Sequence, residues 1–195
     1  MAATDALADT ALGDARERIL ETAYELFSRR GVRGVGVNEV IARAGVARAT
    51  LYAHFPSKDD LILAFLERRE QLWTLAFLQA EARRRGTSPE EQLLAIFDAF
   101  DEWFRRDDFE ACSFTKLLLE MGVGHVAGRA SVRHLDNTRS IVHSLAHEAG
   151  LRDTEAFARS WQLLMQGSIV AAVAGDADAA RRAKAMARAL IDHHR

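Results

Sequence analysis

From Gly36 to Phe55 the chain reads GVNEVIARAGVARATLYAHF, two short apolar-periodic runs separated by Gly45. Val40 and Ile41 on the first run can pack against Val46 and Leu51 on the second. Gly45 supplies the left-handed turn residue between them and leaves the second helix projecting outward. This is helix-turn-helix spacing. Arg48, Ala49, Thr50, Tyr52 and His54 are then free of the shared core. The small Ala49 permits close approach to a groove, Thr50 can bond a phosphate or a base edge, and Arg48 can reach guanine or phosphate. Tyr52 and His54 have a second reading, as cover for the core of a small domain, and Phe55 reads as core.

Working outward, Asp14 and Glu17 have capping-box spacing, and Ile19, Leu20, Ala23, Leu26 and Phe27 form one apolar stripe that Gly31 ends. The spacing predicts short helices over Val37–Ala44 and Arg48–His54, closed by Pro56. Ser57 is placed to cap a long helix with Lys58 first and Asp60 third, running to about Arg84 through Leu61, Phe65, Leu72, Leu75 and Phe77. Ser88, Pro89 and Glu91 mark a further start, and that helix reaches about Arg105. More helices are expected near Phe114–Met121, Ser131–Ala149, Thr154–Ala174 and Ala177–His193, with glycines at their breaks. The fold class is all-α. Its expected parts are a mobile arm over 1–13, a three-helix domain over 14–56, and a larger helical domain with its connector over 57–195.

Of 195 residues, 49% are apolar and only two are proline, which suits long helices around a sizeable core and argues against an all-β chain. The net charge of −2 argues against bulk electrostatic attraction to nucleic acid, but charge is uneven. Asp14–Lys58 carries eight Lys/Arg against five Asp/Glu, so the basic end is local. One cysteine, Cys112, rules out an intramolecular disulfide or a cysteine-based zinc site. The longest apolar stretch, Leu163–Ala174, is too short and too interrupted to span a membrane, and no signal peptide is visible. A cytoplasmic protein without membrane contact is the expectation.

The segment resembles the TetR family of bacterial transcriptional regulators. The family pattern Gly-Val-Ser-x-x-Thr-Leu-Tyr-x-His/Tyr-Phe-x-Ser-Lys matches Gly45-Val46, Thr50-Leu51-Tyr52, His54-Phe55 and Ser57-Lys58. The resemblance implies that Arg48, Ala49, Thr50, Tyr52 and His54 lie on a recognition helix and that Lys58 contacts phosphate. The free amides of that helix start would also attract an anion. Two departures touch helix caps: Gly36 stands where the family often has threonine, and Ala47 where it often has serine. Alanine cannot cap, at a cost of about 1 kcal/mol.

The resemblance also implies partners: a double-stranded DNA operator, a small-molecule effector and a second copy of the chain. Two apolar stripes near the end fit a four-helix dimer interface, through Trp161, Met165, Ser168 and Ala172 on one helix and Ala183, Ala187 and Leu190 on the other. An intrachain hairpin is the other reading of the same stripes. A ligand pocket is expected in the aromatic-rich middle, lined by Phe100, Trp103, Phe104, Phe114, Leu117, Met121 and Trp161, with His125, His143 or Gln166 as polar anchors. No cofactor is expected. Repression relieved by an effector is the expected mode, with activation left open. The alternative is a small helical enzyme or metal-binding protein using His143 and His147, whose i, i+4 spacing could share an ion. No acidic residue sits between them as in zinc protease motifs. Cys112 lacks hydrolase spacing, and Gly31, Gly34 and Gly36 follow a helix rather than a strand.

Overall fold

The first helix, α1, spans Ala2–Arg30. In this computed structural model residues 2–195 are described, with side chains from Asp14 onward except those of 75–77. Met1 therefore lies outside the described residues. The segment expected as an arm has helical backbone from Ala2, in keeping with the helix preference of its several alanines. Asp14 is consequently not a cap but an interior residue, accepting from Arg18 one turn on at 3.1 Å. Ile19, Leu20, Ala23, Leu26 and Phe27 are buried as their spacing predicts. The rings of Tyr24 and Phe27 meet Phe65 edge-on at 5.5 and 5.6 Å.

α1 ends at Gly31, which has a φ of 73° and donates its N–H to the Phe27 carbonyl. Helices α2 (Val37–Ala44) and α3 (Arg48–His54) follow, joined through Gly45 at a φ of 63°. α4 (Lys58–Arg69) opens on a reciprocal cap: the Asp60 N–H donates to Ser57 Oγ at 3.1 Å, while Asp60 Oδ2 accepts from the Ser57 N–H at 2.9 Å. The helix then widens into a π-helical stretch over Glu70–Gln79 and returns to α-helix as α5 (Ala80–Arg85). Leu75 and Phe77 of the expected stripe lie outside the described side chains.

α6 (Pro89–Phe104) starts with the expected box between Ser88 and Glu91 and buries Leu93, Ile96, Phe97, Phe100 and Trp103. Gly86 is required just before it, since a Cβ there would stand 2.3 Å from the Gln92 nitrogen. α7 (Ser113–Met121) and α8 (Val126–Glu148) follow. α8 begins five residues before the expected Ser131 because the His125 ring caps it, Nδ1 accepting from the Ala127 N–H at 3.2 Å. α9 (Thr154–Val173) and α10 (Ala179–His194) complete an all-helical chain. Alanines 180, 183 and 187 of α10 are buried and allow close packing on α6 and α9.

The chain divides into two compact units: residues up to Arg68 together with Lys116–Ser131, and Arg69–Thr115 together with Val132–Arg195. The division differs from the expected boundary at Pro56. Segment 116–131 joins the first unit from a distance in sequence, which local periodicity does not register.

Candidate nucleic-acid interface

α3 is held to the first unit by one fully buried side chain, Leu51, with Phe55 buried just beyond its end. The rest of the helix follows from that anchor. Arg48, Ala49, Tyr52 and Ala53 are exposed, and Thr50 and His54 are half-buried. Of the five positions expected on the outward helix, Arg48, Ala49 and Tyr52 therefore face out, while Thr50 and His54 are at the flanks, His54 with Nε2 buried and unpartnered. Arg48 does not hang free. Its Nη1 donates to Asn38 Oδ1 of α2 at 3.4 Å, and its guanidinium lies 5.6 Å above the Tyr52 ring centroid. Asn38 belongs to this surface and was missed in the sequence because one exposed asparagine on an amphipathic helix carries no periodic signal.

Neither Gly36 nor Ala47 supplies a side-chain cap, as the departures from the family pattern imply. Lys58 has a role that its position alone did not disclose. Its Nζ donates to the Val32 carbonyl at 2.6 Å and so ties the start of α4 to the turn after α1. An ammonium has three donors, so a phosphate contact remains available. In the same unit His125 Nε2 stands 3.4 Å from Asp59 Oδ2.

The residues of the expected ligand set fall in both units. Phe100, Trp103 and Phe104 lie in a continuous aromatic cluster, with Trp73 at 4.1 Å and Phe109 at 4.9 Å from Trp103. Trp161 is buried against Phe97 and Phe157, with its indole N–H unpartnered. Gln166 accepts from the Thr115 hydroxyl at 2.7 Å, and His143 bonds Thr154 at 3.0 Å. Leu117, Met121 and His125 belong to the other unit. Aromatic density marks packed core as readily as cavity, and here it marks core. A cleft of about 390 Å3 instead opens in the second unit between residues 78–96 and 140–148. Among the described residues no three His, Cys, Asp or Glu side chains come together as a metal site.

Phe114 packs face to face on His134, with ring centroids 3.3 Å apart. Burial pushes the His134 imidazole down to about 4, against the opposing pull of Glu70, whose Oε1 stands 3.5 Å from Nδ1, and with a small further push from Arg69. The neutral ring is thus favoured by folding, whereas the unfolded ring binds a proton below about 6.5. The stability this contributes is complete above that pH and lost as pH falls from about 6.5 towards 4. His134→Gln should flatten this part of the stability profile, measured by urea unfolding across that range. An unchanged slope would mean that other groups set it.

The expected dimer stripe is also consumed within the chain. Trp161, Met165, Ser168, Ala183 and Ala187 are buried, and Ala172 and Leu190 are half-buried, because the aromatic face of α9 and the alanine face of α10 close on α6. The large apolar side chains these helices leave outside include Leu163, 74% exposed, Val170, 63%, and Met186, 60%, the last a member of the α10 stripe.

An eight-residue and a seven-residue helix joined at a left-handed glycine, with an outward face anchored by one leucine, define a helix-turn-helix protein. Residues 19–65 match the model of the bacterial regulatory proteins of the tetR family. The chain is 32% identical over 142 residues to an uncharacterized HTH-type transcriptional regulator of Mycobacterium tuberculosis, a match covering 68% of this chain and 64% of that protein. It is 36% identical over 92 residues, 47% of this chain and 41% of the other, to the HTH-type transcriptional activator FasR of Mycolicibacterium smegmatis. The crystal structure of a TetR-family transcriptional regulator from Streptomyces coelicolor superposes with a TM-score of 0.85 at 29% identity, covering 93% of this chain and 96% of that one. The chain belongs to the TetR family. Its relatives are transcriptional regulators rather than enzymes. Among the described residues no helix is long and apolar enough to cross a membrane.

Proposed function

We propose that this chain is a sequence-specific DNA-binding transcriptional regulator that acts as a homodimer on a palindromic operator, as a repressor relieved by a small-molecule effector. The outward face of α3 carries this reading, because it presents a cation, a hydroxyl and a small residue on a helix whose only buried side chain is Leu51. Two such helices related by a two-fold axis read two half-sites, and an effector shifts the balance between spacings only as far as it binds one conformation better. Leu163, Val170, Val173 and Met186 are large apolar side chains that α9 and α10 leave exposed, and a second copy would cover them.

Positioning residues and reading residues should fail differently. Arg48→Ala and Thr50→Ala should each cost about 1–3 kcal/mol at particular base pairs, relaxing preference there while the rest of the palindrome persists. Lys58→Ala should weaken binding to every sequence and reduce the salt slope by roughly one unit per half of the dimer. Because Lys58 also bonds Val32, its variant should lower the thermal midpoint as well, so affinity is compared at a temperature where each protein is folded. Fluorescence anisotropy on operator and scrambled DNA at several salt concentrations separates these effects. A Lys58 variant that changed base preference, with Arg48 and Thr50 variants that changed only the salt slope, would reverse the assignment.

A further inference from the structure

The cleft between residues 78–96 and 140–148 combines an apolar floor with opposite charges at its rim. Leu78, Ala82 and Ile96 of the floor are buried, and Leu145 is half-buried beside them. Arg83 and Glu148 stand exposed at the mouth, and among the described residues neither has a hydrogen bond or an ion pair. That distinguishes Arg83 from its neighbours, since Arg84 and Arg85 are both bound to Glu81. Gln79, Gln92 and Ser144 add unengaged amide and hydroxyl groups around the opening, whereas the Ser140 hydroxyl is spent on the Asp136 carbonyl.

We propose that this cleft binds a small zwitterion of the apolar dipeptide class, with its carboxylate at Arg83, its ammonium at Glu148 and its side chains over the apolar floor. The chemistry is complementary at each point. A lone fatty chain would leave both rim charges and three polar groups unused, and a simple anion or cation would meet one charge and ignore the floor. The volume of about 390 Å3 lies near the lower end of the roughly 300–1,000 Å3 typical of small-molecule sites, which suits a molecule of this size. Rim charges in water add little affinity, so the floor supplies most of the binding and the charges select the zwitterion. The regulatory meaning of such binding rests on the effector-responsive reading above; the binding itself does not.

The test is titration calorimetry on the full chain without DNA, using leucyl-phenylalanine, its N-acetyl derivative and its C-terminal amide. Leucyl-phenylalanine should bind saturably. Amidation should weaken binding up to about fivefold in the parent and leave Arg83→Gln unaffected, and acetylation should do the same in relation to Glu148→Gln. Ser144→Trp, at the exposed mouth, should abolish binding with the thermal midpoint unchanged. Absence of saturable heat with all three peptides would overturn the proposal. So would affinity indifferent to Ser144→Trp and to both glutamine variants. Operator binding is measured separately, so loss of the cleft's ligand leaves the DNA-binding reading standing, and the reverse.

Discussion

Leu51→Ala is expected to destabilise the first unit by about 2–5 kcal/mol and to abolish DNA binding with it. Leu51 is the single buried residue of a seven-residue helix whose N-terminus lacks a side-chain cap. Besides Leu51, α3 is tied down by the exposed Arg48–Asn38 hydrogen bond and the half-buried Thr50 and His54, and a helix of two turns has no stability of its own in water. Removing the side chain leaves a cavity between α3 and the buried faces of α1 and α2, formed by residues such as Ile19, Ala23 and Val40. Hydrogen exchange of the α3 amides and urea unfolding would measure the loss. Tyr52→Ala, on an exposed position of the same helix, is the control and should cost under about 1 kcal/mol in stability. Equal losses from both would mean that Leu51 is not the anchor.

The second large effect concerns assembly. Met186→Asp combined with Leu163→Asp should convert the proposed dimer to a folded monomer and lower affinity for a palindromic operator by about 10²–10⁴-fold, with half-site affinity unchanged. Both side chains are exposed on α10 and α9, where a carboxylate is harmless in a single chain and costly against an apolar partner surface. Ala183→Asp would not serve. Ala183 is buried against the chain's own core, so that substitution should unfold the second unit whatever its oligomeric state. Sedimentation of the double variant alongside circular dichroism distinguishes the outcomes. An unchanged dimer would place the interface elsewhere.

Ser57, Ser88, Gly31 and Gly45 were legible in the sequence because capping and left-handed turns are local, and local chemistry survives folding without help from distant residues. The outward face of α3 was legible for a related reason: Leu51 alone fixes which side of a short helix faces in. The faces of α9 and α10 were not. α9 is apolar on more than one side, and periodicity says that Trp161 and Met165 are buried without saying by what. Only the arrival of α6 shows that its own chain covers them. Aromatic richness is likewise silent on whether a side chain lines a cavity or fills core: Phe100 packs on Trp103, and Trp161 on Phe97. His134 gave no signal at all. A lone histidine on a helix becomes informative only when Phe114 and Glu70, from two other elements, close around it.

If α3 of each of two copies reads DNA, the target is a two-fold object, and selection of bound duplexes from a random library with the full chain should recover it. One palindrome should be enriched, with specificity relaxed at defined positions in each half when Arg48→Ala is used for the selection. Recovery of random sequence at low salt, with no motif enriched over successive rounds, would contradict that two-fold reading.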